Sequence, residues 1–278
     1  ISKNALLKQN YTNQLITRSS YTFTYSSSST TASSLMKAKK TSKSSTNFSF
    51  MIDMSGTLPS GLVRLFHSPV KEEVTDSIGT VRKYYEIVGV PFSQYARFDI
   101  DYSRTFRLGI HPELALHVGA GIASPYGNSK QIPYERRYFA GGPNSVRGWS
   151  TRELGPGRYK SNGSADFFNQ TGDIKLLAQA ELRIHTEGMF EYAVFADVGN
   201  IWTIRDYENQ LDGKIVLSEL PKDLAASIGA GVRLDFSFIL VRVDVGMKTY
   251  DPSERRWNIA SPEFGRDVTF HFAVGYPF

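Results

Sequence analysis

Alternation with a period of two runs through most of this chain, and it puts charges on the face that a water-soluble strand would expose while its partner face is unusually aromatic. At the C-terminus Val268, Phe270, Phe272, Val274, Tyr276 and Phe278 alternate with Thr269, His271, Ala273, Gly275 and Pro277. Ile228, Ala230, Val232 and Leu234 alternate with residues that include Arg233 and Asp235, and Ile239, Val241, Val243, Val245 and Met247 lie opposite Arg242, Asp244 and Lys248. Such a period belongs to strands and not to helices. A soluble sandwich buries the apolar face, whereas a membrane barrel turns it to lipid around a wet interior, and periodicity alone fits both. Length and aromatic placement separate them. Strands of about 9 to 12 residues match a tilted bilayer crossing, and Tyr21, Tyr25, Trp202, Tyr207, Tyr250, Trp257 and Tyr276 are expected as interfacial girdles.

Further strands are expected at 21–25, 48–54, 96–102, 114–122, 174–184 and 192–202, with another at 84–90, about ten in all. Turns at 109–112 and 187–188 are short, while connections at 124–171, 205–220 and 251–266 are long, which is the outer-membrane pattern of short turns on one side and long loops on the other. The Ser/Lys tract at 26–45 then falls on the short-turn side although it is composed like a surface loop, so the topology before Ala96 is open. The predicted class is an all-β transmembrane antiparallel barrel, with residues 1–278 as one partial barrel domain and residues 125–172 as its long loop.

Composition agrees. A hydrophobic fraction of 41% and a mean hydropathy of −0.29 are too polar for a helical membrane bundle, and no apolar run reaches the roughly 18 residues of a spanning helix. With no cysteine, thiol chemistry and disulfides are excluded. The net charge of +5 is scattered apart from Lys37, Lys39, Lys40 and Lys43, which read as a solvated tether, so nucleic acid is not an expected partner. The opening ISKNALLKQN has neither Met nor a signal-peptide pattern and reads as an internal start, so the chain is expected to be a piece of a longer protein.

Between two strand-like segments lies YFAGGPNSVRGWSTRELGPG, residues 138–157. Gly141, Gly142, Gly148, Gly155 and Gly157 allow positive-φ turns and close backbone approach, so this long loop can be compact and hold Arg147 in one place. On the following strands Glu181 and Asp197 fall on the interior face, where an arginine fork can pair with both. An exposed loop arginine with two unrelated interior acids is the other reading of the same residues. Enzymatic chemistry is not expected: PNSVRG around Ser145 is no nucleophile elbow, and His67, His111, His117, His185 and His271 lack metal-binding spacing, so no cofactor or metal is implied. Gly119/Gly121 and Gly229/Gly231 lie within strands and relieve crowding there.

GGPNSVRGW followed by RELGPG, then AELR, then FADVGNIW, resemble the VRG loop and the two acidic strand motifs of the BamA/TamA superfamily of outer-membrane assembly factors. QYARFDIDYSR, GAGVRLDFSFILVRVDVG and the terminal GYPF are similar to the TamL (TamA-like lipoprotein) group of Bacteroidetes, and the likeness covers roughly residues 95–278. The resemblance implies a sixteen-stranded barrel in the bacterial outer membrane, with this chain as its C-terminal part; the family's POTRA domains, a lipoprotein cysteine and about six early strands are not among these residues. It implies that Val146, Arg147 and Gly148 fold inward and that Glu181 and Asp197 bind the arginine. The last strand, 267–278, with Phe270, Phe272, Gly275, Tyr276 and Phe278, would be one side of a weak seam. Unfolded outer-membrane protein clients, lipid and lipopolysaccharide, and a TamB-like periplasmic bridge or accessory lipoproteins are the implied partners. A passive pore or transporter, and the barrel anchor of an outer-membrane hydrolase, are the competing functions.

Overall fold

The computed structural model describes residues 13–27, 44–66, 70–74, 81–161, 166, 168–236, 238–259 and 261–278. The lysine-bearing tract 28–43, the start at Ile1 and His67 lie outside the described residues. In chain order the elements are β1 (Arg18–Ser26), β2 (Ser45–Ser55), helix α1 (Thr57–Leu65), β3 (Lys71–Val74), β4 (Val81–Tyr84), β5 (Glu86–Ile87), β6 (Val90–Pro91), β7 (Tyr95–Arg107), β8 (Pro112–Pro125), β9 (Ile174–His185), β10 (Phe190–Trp202), helix α2 (Leu220–Asp223), β11 (Ala225–Asp235), β12 (Leu240–Asp251), β13 (Arg256–Trp257) and β14 (Val268–Val274). One ten-stranded antiparallel sheet runs β1-β2-β7-β8-β9-β10-β11-β12, with β14 along β12 and the two-residue β13 at its end. Among the described residues β1 forms one edge of this sheet, and β13 and β14, both along β12, form the other.

The two faces of the sheet are the reverse of a soluble protein's. Along β10 the apolar Phe190, Tyr192 and Val194 are about half exposed, while Glu191, Ala193, Phe195 and Asp197 are buried. The same inversion holds on β12, where Val243 is exposed and Arg242 and Asp244 are fully buried. A row of half-exposed Val, Ile, Phe and Tyr backed by buried charge makes sense only if the outer face meets something apolar, which is the arrangement of a membrane β-sheet. Short turns at 108–111, 186–189 and 236–239 lie at one end, and the long connections 56–94, 126–173, 203–224 and 252–267 lie at the other. The β1–β2 connection falls at the short-turn end, as the alternation of directions requires.

Four expectations change. The segment 84–90 is no crossing strand: Val88 and Gly89 both take positive φ (52° and 74°), so the chain reverses at once between β5 and β6, off the main sheet. The last strand stops at Val274 and does not reach Phe278, because Gly275 adopts φ 79° and turns the chain out of the sheet. Trp202 is no girdle residue; it is wholly buried where the long loops cover the end of β10. Tyr276 is turned inward, with its hydroxyl donating to Glu191 Oε2 at 2.8 Å. Tyr21, Tyr25 and Trp257 are exposed, as girdle positions should be.

Candidate functional site

The loop between β8 and β9 is held shut by two backbone bridges, Tyr138 to Gly172 and Ala140 to Leu154. Gly141 and Gly142 lie at φ 91° and 97°, and a Cβ at Gly141 would stand 2.2 Å from the Ser150 carbonyl oxygen, so the neck of the loop admits only glycine there. Val146, Trp149 and Leu154 bury their side chains against Tyr95, Leu177, Ile201 and Ala225 at the long-loop end of the sheet. This small apolar cluster places the loop tip over the charged face.

Arg147 sits at that tip with no solvent exposure. Its Nε donates to Asp197 Oδ2 at 2.9 Å and its Nη2 to Asp197 Oδ1 at 2.8 Å, a bidentate fork, and its backbone N–H adds a third bond to Oδ2 at 3.1 Å. Nη1 donates to Glu181 Oε2 at 2.5 Å. The guanidinium carbon lies 3.5 Å from the centroid of Phe195, which sits between the two acids in register, opposite Glu181 on β9 and two residues before Asp197. A planar ion stacked on a ring and forked onto a carboxylate is arginine chemistry that lysine cannot reproduce.

The arginine is one member of a larger network. Glu181 also accepts from Arg183 Nε at 2.8 Å and lies 2.9 Å from Arg233 Nη2. Asp244 lies 3.3 Å from Arg233 Nη1 and 3.8 Å from Arg147 Nη1, and accepts from Arg242 Nη1 at 2.7 Å. Arg242 in turn donates to the Pro143 carbonyl at 2.9 Å, and Gln179 Nε2 donates to the Ser145 carbonyl at 2.8 Å, so the wall grips the loop on both sides of Arg147. From the edge strand, Thr269 Oγ1 donates to the Gly148 carbonyl and His271 Nε2 to the Arg147 carbonyl, both at 2.9 Å. Gly148 itself does not need positive φ; a Cβ there would meet Ser227 Cβ at 2.7 Å, so it serves close approach.

These contacts require a curled sheet. β9 and β14 are four strand spacings apart, about 19 Å in a flat sheet, yet Arg147 touches Glu181 on β9 and His271 on β14. The charged face is therefore concave and wraps the loop.

Of the residues singled out in the sequence, Gly141, Gly142, Val146, Arg147, Gly148, Glu181 and Asp197 come together in one place. Phe270 and Phe272 do not join them; at 61% and 72% exposure they face outward on β14. Beyond Gly275 the tail crosses the concave side: the Arg183 guanidinium lies 4.2 Å from the Tyr276 ring centroid, and Phe278 stacks on His117 of β8 at 5.1 Å. Gln179, Arg242, Asp244, Gly246 and His271 also hold the loop, Arg233 braces the acids that do, and none was singled out as part of the site. Their side of the strand was readable, but their convergence depends on register, such as Arg233 opposite Arg242 and Gly231 opposite Asp244. The Ser145 hydroxyl is buried without a hydrogen-bond partner, and among the described residues no group of three His, Cys, Asp or Glu is placed to hold a metal ion. What the geometry can do is hold a loop fixed against a wall by buried charge.

Residues 71–278 match the Omp85 superfamily domain. Outer membrane protein assembly factor BamA of Neisseria meningitidis serogroup B is 28% identical over 129 residues, 44% of this chain and 16% of that protein. Among solved structures, BamA from Haemophilus ducreyi lacking POTRA domains 1-3 aligns with 92% of this chain and 54% of its own at 15% identity and a TM-score of 0.43. CdiB from Acinetobacter baumannii aligns with 92% and 41% at 10% identity and a TM-score of 0.36. The chain thus spans about half or less of each of these proteins.

Proposed function

The chain belongs to the Omp85 superfamily and resides in the bacterial outer membrane, and from that premise we propose that it is the C-terminal barrel region of a factor that inserts β-barrel proteins or exports polypeptides. The observation that carries this is the Val146-Arg147-Gly148 tip locked by Glu181 and Asp197 against the concave, charged face of the sheet. In this reading the complete barrel has sixteen strands, the protein is of the TamL kind, and POTRA domains precede the barrel. The site is a mechanical one and not an enzyme's.

An unfolded client strand cannot enter hydrocarbon alone, because each unpaired N–H and C=O there costs several kcal/mol. A seam beside β14 that opens temporarily in the complete barrel offers the client backbone partners, and the client leaves once its own strands pair. For the edge to be used repeatedly the rest of the wall must keep its shape, and the docked loop ties β9, β10, β12 and β14 into one body. Unfolded outer-membrane proteins are the clients, and a TamB-like bridge or accessory lipoprotein is the periplasmic partner.

The test is client insertion into liposomes by the full-length gene product, wild type against Arg147→Glu, with heat-modifiable mobility checking that both fold. Accelerated insertion by the wild type and none by the folded variant is the expected result. Equal insertion by both removes the loop from the mechanism, and steady ion conductance with no client effect replaces assembly by a passive pore.

A further inference from the structure

Helix α1 has three sides. Pro59 and Val63 are buried, Val63 to 3% exposure, and fix the helix to the protein. Thr57, Ser60 and Arg64 line, with Val63, Phe92, Gln94 and Tyr126, a mixed cleft of about 360 Å³. The third side is Leu58, Leu62 and Leu65, continued by Phe66, at 69%, 48%, 70% and 73% exposure. Spacings of four and three put the three leucines on one stripe, and a hundred degrees per residue sets Arg64 nearly opposite Leu62.

Water is a poor neighbour for that stripe, and the helix's position says what the better one is. Its first turn is pinned to the end of β2: Gly56 N–H donates to the Thr17 carbonyl at 3.0 Å, and at φ 77° a Cβ on Gly56 would meet the Ser93 carbonyl oxygen at 2.5 Å. The residues that lead into it, Ile52 and Met54, face outward on β2 at 41% and 38% exposure, while Asp53 and Ser55 are buried behind them. The exposed leucine stripe thus follows directly in the chain on the outward apolar row of β2, at the long-loop rim.

We propose that α1 is an interfacial anchor: it lies flat at the rim with Leu58, Leu62, Leu65 and Phe66 in the upper acyl region of the leaflet on the long-loop side, and Arg64 toward the headgroups. A short amphipathic helix with a cation on its wet side is built for that depth and cannot span. The occupant is membrane lipid. This rests on the reading that the outer face of the sheet lies in the membrane, and the two can fail separately.

This chain has no cysteine of its own, so in reconstituted full-length protein with any free cysteine outside these residues replaced by serine, single cysteines at Leu62, Ser60 and Val118 can each carry an environment-sensitive fluorophore. Val118 is the outward control, 53% exposed in the middle of β8. Nitroxide lipids quench from two depths, iodide quenches from water, and heat-modifiable mobility selects folded samples. The Leu62→Cys probe should be quenched by the shallow nitroxide more strongly than the Ser60→Cys probe, by about twofold or more, Val118→Cys by the deep one, and Ser60→Cys by iodide. A Leu62 probe as open to iodide as Ser60 while Val118 reports lipid overturns the anchor and leaves the barrel intact. A Leu62 probe shielded from iodide yet untouched by either nitroxide assigns the stripe to a protein partner or second copy and overturns it too. Loss of lipid quenching at Val118 would sink the barrel reading itself.

Discussion

The loop is held so close to β12 that one methyl group should dislodge it. An ideal Cβ on Gly246 would stand 2.0 Å from the Arg147 carbonyl oxygen and 2.5 Å from its carbonyl carbon. β12 is paired along its length on both sides, by β11 and β14, so the loop is the part that yields in Gly246→Ala. Ordinary contact begins at 3.4 Å, so the carbonyl must retreat by about 1.4 Å. That retreat stretches the His271 and Thr269 bonds, now both 2.9 Å, beyond bonding distance. Two neutral hydrogen bonds are worth about 2 kcal/mol together, roughly a 30-fold larger population of undocked loop. A cysteine at Ser145, buried in the docked loop, reports that population through its maleimide labelling rate in folded protein. The rate should rise roughly 30-fold on adding Gly246→Ala, and Gly188→Ala, in an open turn with only one side-chain atom near at 3.9 Å, should leave it alone. An unchanged rate in Gly246→Ala would refute the idea that backbone contact with β12 fixes the loop.

Glu181→Gln keeps the shape of the site but leaves Arg147, Arg183 and Arg233 without their shared carboxylate; a loss of about 3 to 5 kcal/mol is expected, read as a lower urea midpoint for the heat-modifiable form. Tyr276→Phe removes the bond to Glu191, so hydrogen exchange should quicken at 275–278 and stay unchanged at 145–148. Asp267, in the connection before β14, is drawn upward by burial, but the Glu263 N–H and Arg266 outweigh this and hold its carboxyl below the usual range. A depressed folded value means the stabilisation is complete above the unfolded value near 3.9 and disappears as pH falls through the folded one. Proteolysis of 252–267 should therefore increase in acid for the parent, and Asp267→Asn should be open and pH-insensitive over the same range.

The strands from β7 to β12 were legible because alternation needs only local information, and charges that recur on one face only mark the side. Arg147, Glu181 and Asp197 were legible as a set only through motif resemblance; alternation placed the two acids inside but said nothing of what the loop brings to them. Arg233, Arg242 and Asp244 needed register, which couples residues from different strands and leaves no trace in either strand alone. Where local pattern misled, a left-handed residue or a covering loop was responsible. The alternation of β14 continues in letters through Tyr276 and Phe278, but Gly275 rotates the chain and sends both rings to the other side. Trp202 ends a strand as a girdle residue should, and the connection that buries it is contributed by residues far away in sequence.

Charge balance explains why the loop and the wall behave as one unit. The linked buried charges are Arg183, Arg233 and Arg242 with Glu181, Glu191, Asp197 and Asp244 on the strands, and Arg147 from the loop. Glu113 and His185, less deeply placed, extend the set at Arg183 and Glu191; among the buried members Arg147 makes four cations to four anions, and without it Asp197 loses its guanidinium partner. Removing a partner from a buried set leaves an uncompensated charge whose cost exceeds what the pair itself is worth. The concave face is therefore electrostatically complete only when the loop is docked. A loop held by hydrophobic burial alone could slide to a neighbouring position at small cost, whereas a fork on Asp197 and a stack on Phe195 admit one position. Opening of the sheet at β14 would pull on His271 and Thr269, which hold the loop's backbone, before it disturbed the fork on Asp197.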